Sequence, residues 1–225
     1  MNDERNPHSL QIRTVGMRGF SDEERDEIEA ELLETARDLF TKFGYKKTSV
    51  KDVTEPVGIA EGTFYRFFDT KSELYARVLL LEQEELVSAV EAEVRAVDAP
   101  DEKLERLLRT WAREFEKRPL LRRSHQEPQR LLRNVDPDAL ETALEDGRRQ
   151  FAERLLPIVR DVQERSDGYI TELDPRFVLE LLSAIELTVA QKDLFEEYSW
   201  SEFSAFQDTF ATILVRGLLG DASPD

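Results

Sequence analysis

Cysteine is absent from all 225 residues. That excludes disulfides, thiolate nucleophiles, cysteine-ligated zinc and thiol redox sensing. Histidine occurs only as His8 and His125, too far apart in the chain to suggest a shared site. No apolar run approaches the roughly 18 residues of a membrane-crossing helix. The longest is Val78-Leu79-Leu80-Leu81, and the N-terminus lacks the pattern of a signal peptide. A soluble, cytoplasmic protein with no membrane partner is expected. No nucleophile–base pair, metal-ligand cluster or glycine-rich phosphate loop is visible, and acidic pairs such as Glu84-Glu85 read as a solvated helix face. The chain is therefore not expected to be an enzyme or to hold a cofactor or metal. Alternating strand patterns bounded by hairpin turns are missing too, as are internal repeats.

Positive charge is also scarce: 31 Lys and Arg face 48 Asp and Glu, a net charge of −17. Such a balance argues at first against a DNA partner, but the charges are unevenly placed. Residues 1–41 carry 5 basic and 11 acidic side chains, and residues 79–225 carry 19 and 32. Residues 42–78 carry 7 basic and 5 acidic side chains, the one block with a positive balance. Arginine (23) outnumbers lysine (8), which fits either a high-salt cytoplasm or a GC-rich genome with an acidic bias. In molar salt the Debye length falls to about 3 Å. Base and packing contacts would then have to supply most of any affinity for DNA.

What is present reads as helix. A chain of this length forms one large domain or two smaller ones sharing a helix. Residues 1–20 show no helical period and read as a disordered arm; the alternative is a basic arm in which Arg5, Arg13 and Arg18 reach a minor groove. Ser21-x-x-Glu24 is a capping box. It opens a helix with Ile28, Leu32, Ala36, Leu39, Phe40 and Phe43 on one stripe, ended by Gly44. Ser49-x-x-Asp52 opens a short helix that Pro56 should close, since proline lacks the amide and its ring clashes with the carbonyl four residues back. Gly58 supplies a turn and residues 61–68 a further helix. Thr70-x-x-Glu73 caps a long helix reaching Val97. Later helices are expected over 100–117, over 120–133 with a break around Pro128, and from Asp136-Pro137 to about Arg165 with a kink at Pro157. Two more run from Asp174-Pro175 to Tyr198 and from Ser199-x-x-Glu202 to Gly220.

Within this pattern, residues 43–74 read FGYKKTSVKDVTEPVGIAEGTFYRFFDTKSEL. Together with Phe40 they hold an ordered set: Phe43-Gly44, Thr48-Ser49-Val50, Gly58, Gly62-Thr63-Phe64-Tyr65, Phe68 and Lys71. The set resembles the DNA-binding head of the TetR family of transcriptional regulators, at that family's spacing. The resemblance implies an all-α protein. A three-helix helix-turn-helix DNA-binding head would occupy residues 21–78, behind the arm at 1–20. A larger helical body for ligand binding and dimerisation would occupy 79–225. Two departures stand out: Pro56, where many relatives have alanine, and Ala60-Glu61, where many have Ser-Lys.

A helix-turn-helix holds two short helices at a fixed angle and presents the second to the major groove. Phe40, Val50, Val53, Ile59, Phe64, Phe68 and Leu74 can form the small core that sets the angle. Thr48, Lys51, Glu61, Gly62, Thr63, Tyr65, Arg66 and Lys71 are left facing outward. By resemblance, Tyr65 and Lys71 anchor phosphates and Thr48 or Ser49 caps the preceding helix against the DNA backbone. Gly62 allows close backbone approach. Thr63 and Arg66 are the candidates for base edges, the arginine through a bidentate contact to guanine.

Signals from the body are fewer. The last two helices are the dimer candidates, through Leu181, Ile185 and Val189 on the first and Phe203, Phe206, Phe210, Ile213 and Leu214 on the second. Apolar side chains there cover more of each circumference than one core face needs. Two helices from each subunit would make an isologous four-helix bundle. Trp111, Phe115, His125, Gln129, Phe151 and Phe177 have the chemistry of an effector pocket, with His125 and Gln129 one turn apart. The reading is a homodimeric repressor of double-stranded DNA, released from a palindromic operator by a small lipophilic effector. The alternative keeps the fold but makes the acidic body a module that recruits a protein partner without any effector.

Overall fold

The computed structural model of the chain describes residues 20–126, 134–198 and 201–220, and every regular element among them is helical. The chain divides into two compact units, Met1–Leu74 and Tyr75–Asp225. Of the arm expected at residues 1–20, all but Phe20 lies outside the described residues.

The first unit begins with α1 (Asp22–Phe43). The Ser21 hydroxyl accepts the Glu24 amide at 3.2 Å and the Glu24 carboxylate accepts the Ser21 amide at 2.9 Å. Two orphan donors of the first turn are thereby satisfied. Asp22, Glu23 and Glu24 complement the positive end of the helix dipole. Leu32, Ala36 and Phe40 form the buried seam. Phe43 departs from expectation: it is exposed, with the Lys42 ammonium 5.1 Å from its ring. Gly44, at φ 80°, turns the chain into a 3-10 turn, Tyr45–Lys47, and the Tyr45 ring packs on Phe40 in its place.

Helix α2 (Val50–Val57) opens on the expected capping box, the Ser49 hydroxyl accepting the Asp52 amide at 3.2 Å and Asp52 accepting the Ser49 amide at 2.8 Å. Pro56 does not close it. The helix runs through Pro56 and ends at Gly58 (φ 77°), whose amide reaches the Thr54 carbonyl at 3.1 Å. In the last turn a proline forfeits only one amide bond, and the left-handed glycine makes the stop. Helix α3 (Glu61–Phe64) is shorter than the eight residues expected. Residues 65–67 tighten into turns in which Arg66 and Phe67 donate to carbonyls three residues back. Phe64 and Phe68 both reach the core this way, their rings 5.6 Å apart. With Phe40, Val53 and Leu74 they are fully buried, and Val50 and Ile59 partly so. Helix α4 (Lys71–Arg95) starts on half of the predicted box. Thr70 accepts the Glu73 amide at 3.0 Å, whereas the Glu73 carboxylate takes the Asp69 amide instead.

The second unit is built around α5 (Pro100–Glu116), which packs on α6 (Pro119–Gln126), α7 (Pro137–Glu164), α8 (Pro175–Ala190) and α10 (Phe203–Leu219). Leu104, Leu107, Leu108, Trp111 and Phe115 repeat every three or four residues and are all buried. Asp136 and Asp174 cap α7 and α8 ahead of a proline at the first helical position, as read from sequence. Helix α7 continues through Pro157.

Two boundaries differ from the periodicity. The helix expected from Asp174 to Tyr198 breaks at Gln191, whose amide is shared between the Leu187 and Thr188 carbonyls, before α9 (Lys192–Tyr198). The break brings Phe195 against Phe203 and Phe206, at 5.3 and 4.6 Å. The last helix is capped at Glu202 with no side-chain bond; Ser199 and the break around Pro128 lie outside the described residues.

Candidate nucleic-acid interface

Every residue expected to touch DNA lies in the first unit, and two of them turn inward. Thr48 is only 2% exposed, and its hydroxyl donates to the carbonyls of Gly44 at 3.0 Å and Leu39 at 3.4 Å. The outward placement read from sequence is thus corrected. A β-branched hydroxyl at this turn satisfies the open carbonyls of α1's last turn, so it belongs to the head's framework. Lys71 is half-buried. Its ammonium donates to the Tyr45 carbonyl at 2.9 Å and the Thr48 carbonyl at 2.7 Å, and lies 4.1 Å from the Tyr45 ring centroid. Burial pulls its pKa down, and the negative charge of Asp52 opposes that. Tyr45, not singled out in the sequence, completes this cluster by a hydroxyl–hydroxyl bond to Ser72 at 2.8 Å.

The others face solvent. Tyr65 is 58% exposed, its ring edge-on to Phe64 at 5.3 Å, so a core phenylalanine fixes its direction. Gly62, Arg66 and Lys51 are exposed and Thr63 partly so. Nothing lies within 4 Å of a Cβ placed on Gly62, so the backbone at the start of α3 is open. Ser49 is committed to Asp52, both as acceptor of its amide and as donor to its carboxylate at 2.6 Å. The Ser49 hydroxyl, and after it the Ser49 amide, donate to the Asp52 carboxylate and hold its pKa below the ordinary value. Among the described residues Lys46, Lys47, Lys51 and Arg66 are exposed and make no salt bridge, Lys51 being met only by the charge of neighbouring Asp52. Exposed cations without salt bridges, an exposed tyrosine and an open glycine backbone within one small head supply the chemistry of polyanion binding.

In the body, the proposed pocket residues that are described have different surroundings. Trp111 and Phe115 are core. Phe151 is packed edge-on to Trp111 at 5.2 Å and lines a crevice of about 10 Å3 with Leu80, Gln83, Val87, Gly147 and Arg154. That is room for about one water. Phe177 is 48% exposed at the start of α8, on the surface instead of in a pocket, because Val178 and Leu179 take the inward positions of that turn. Gln129 lies outside the described residues. His125 is edge-on to Phe115 and pairs with Glu186, a partner the sequence did not suggest, at 3.1 Å between α6 and α8.

Of the dimer candidates, Ile185, Val189 and Phe203 are buried within the chain itself, as α8 and α10 spend one face on α5. Leu181, Phe206, Phe210 and Leu214 are partly exposed and Ile213 is 61% exposed, while Leu187 adds a further exposed apolar side chain at 55%. Among the described residues no helix is long and apolar enough to cross a membrane, and no group of three metal-ligating side chains is gathered.

In the head α2 packs on α1 and α3 on α2, a helix-turn-helix arrangement, and a separate helical body follows. Residues 32–78 match the family model of bacterial regulatory proteins of the tetR family. The chain is 35% identical over 57 residues to the uncharacterized HTH-type transcriptional regulator YfiR of Bacillus subtilis, covering 25% of this chain and 28% of that protein. It is 23% identical over 174 residues to the HTH-type transcriptional regulator UidR of Escherichia coli, covering 76% and 86%. The fold is similar to that of the transcriptional regulator FadR of Bacillus subtilis, solved in complex with stearoyl-CoA, with a TM-score of 0.64 at 17% identity over 84% of this chain and 98% of that one. The head, over residues 32–78, is that of the TetR family of transcriptional regulators, a DNA-binding family, and the whole chain is similar in fold to such regulators.

Proposed function

We propose that the protein is a homodimeric repressor that holds a palindromic operator until a small lipophilic molecule enters the body. The observation that carries this reading is that one small head exposes Lys46, Lys47, Lys51 and Arg66 without salt bridges, together with Tyr65 and Gly62, in a chain of net charge −17. Phosphate contacts from Lys46, Lys47, Lys51, Tyr65 and the remaining N–H of Lys71 set register; Thr63 and Arg66 read base edges. Ser49 and Thr48 hold α2 and the turn before it. Exposed Leu187 and Ile213, with partly exposed Leu181, Phe206, Phe210 and Leu214, supply the apolar faces of α8 and α10 that a second copy would cover. Two-fold symmetry in the protein is then mirrored in the operator.

The effector enters between α4 and α7. With about one water's volume there, a larger molecule must part the helices, and α4 continues without interruption into the head at Lys71. The ligand thus favours a body geometry in which α4 is tilted, and the half-sites are released by population shift. Binding of stearoyl-CoA by a protein of the same fold supports an acyl, lipophilic class of effector.

Selection of bound DNA from a random library at two salt concentrations tests the first part. A palindromic consensus is expected, and the salt slope gives the number of phosphates engaged. A consensus without two-fold symmetry would sink the dimer reading. Titration of acyl-CoA thioesters into the operator complex tests the second. Operator binding indifferent to all of them, together with stable capture of a protein partner, would favour recruitment over induction.

A further inference from the structure

Four side chains on the head form a row of two neighbouring rings with a cation at each end. The Arg66 guanidinium carbon lies 4.9 Å from the Phe20 ring centroid, Phe20 lies 6.0 Å from Phe67, and the Arg25 guanidinium lies 5.5 Å from the same Phe67 ring. Phe20 immediately precedes the cap Ser21. An apolar residue there commonly packs on the fourth residue of its own helix. In this chain that residue is Arg25, and Phe20 instead crosses to the segment after α3. Arg66 is exposed and, among the described residues, has no carboxylate partner, although Asp22, Glu23 and Glu24 come just after Ser21 in sequence. The aromatic ring is what it rests on.

We infer that Phe20 is a positioning residue for sequence reading: its ring holds the Arg66 guanidinium where it meets a base edge. This rests on the assignment of Arg66 to a base contact. The physical reason is preorganisation. A free arginine side chain must give up its rotamer freedom on reaching into a groove, and a ring that holds the guanidinium beforehand removes part of that cost. A cation resting on a ring face keeps its in-plane N–H groups available for bidentate contact with guanine. A phenylalanine just outside the recognised motif, and before the first helix, thereby takes part in specificity.

The test is DNA selection with the full chain as wild type, Phe20→Ala, Phe20→Tyr, Phe20→Leu, Arg66→Ala and the Phe20→Ala/Arg66→Ala double variant. Thermal unfolding of each verifies that the head is folded. Phe20→Ala should relax preference about two- to five-fold at the one base position that Arg66→Ala relaxes, and should add nothing there in the Arg66→Ala background. Phe20→Tyr should keep the preference and Phe20→Leu should lose it. In the free protein, the Arg66 Nε–H resonance should lose its ring-current shift in Phe20→Leu, which retains apolar bulk. Equal weakening of all sequences by Phe20→Ala, or full preference in Phe20→Leu, would overturn the proposal and leave Phe20 as an anchor of α1. If Arg66→Ala changes preference at no position, the base-contact assignment itself fails, and the positioning role with it.

Discussion

Lys71 gives two of its three N–H groups to the Tyr45 and Thr48 carbonyls, so one N–H and the charge remain for a phosphate. Removing the ammonium leaves two part-buried carbonyls without their donor. Lys71→Ala should lower the stability of the head by about 1–3 kcal/mol, seen in chemical denaturation, and should weaken every DNA sequence alike. Full stability with reduced DNA binding would mean that the two internal bonds contribute nothing. Ser49 differs, since its hydroxyl serves only the start of α2. Ser49→Ala should cost about 1 kcal/mol, and Ser49→Asp should restore most of it. Arg66→Ala should leave stability within about 0.5 kcal/mol, as an exposed substitution away from caps and core, while relaxing one base position. These outcomes separate framework from contact among residues that the sequence reading had all assigned to the DNA-facing side.

Between elements, His125 joins α6 to α8. Both ring nitrogens face acceptors: Nδ1 the Leu121 carbonyl at 3.0 Å, and Nε2 the Glu186 carboxylate at 3.1 Å. Serving both requires two N–H groups, hence the imidazolium. Burial pushes the imidazole pKa down, but the hydrogen bond and charge of Glu186 and the Leu121 carbonyl push it up further, to a net rise above 6.5. A pKa raised on folding gives stability that is complete below the unfolded value and is lost as pH rises through the folded one. His125→Gln should therefore destabilise the body most below pH ~6.5 and least at alkaline pH. With a third of the side chain exposed, the effect should not exceed about 1 kcal/mol. A difference in Tm between the two proteins that is constant with pH would dismiss the pair. Gly168 makes a second junction. A Cβ there would lie 2.5–2.6 Å from the backbone of Leu219, while the Tyr169 amide bonds the Gly220 carbonyl at 2.9 Å. Gly168→Ala should cost about 1–3 kcal/mol by prising the end of α10 off its seat. An unchanged Tm would show that the seat yields freely.

For the molecule as a whole, assembly and DNA affinity are expected to fall together. Ile213→Glu and Leu187→Glu alter exposed positions of α10 and α8, so monomer folding should survive. Sedimentation should show monomers, and operator affinity should drop by more than tenfold, since a palindrome is then met by one head at a time. A dimer unaffected by both charges would place the interface elsewhere. Because the acidic body repels DNA at long range, affinity should fall less steeply with salt than the count of lysines alone predicts.

The sequence by itself determined the all-helical class, the capping boxes at Ser21 and Ser49, the proline-led starts of α7 and α8, and the family pattern of the head. Those features are local: a cap, a proline or a 3.6-residue period acts over a few neighbours. Only the tertiary structure decided that α3 stops at Phe64, that α8 breaks at Gln191, and that Thr48 faces inward. It also decided that Lys71 is half spent on the backbone, that Phe43 and Phe177 lie on the surface, and that Phe20 meets Arg66. These outcomes turn on contacts made in three dimensions, which outweigh local preferences worth under about 1 kcal/mol. Phe68 joins Phe64 in the core, and Phe195 meets Phe203 and Phe206. Tyr45 covers Phe40, and Phe67 takes up Phe20. Periodicity names the side of a helix that is apolar; it does not name what arrives to cover it.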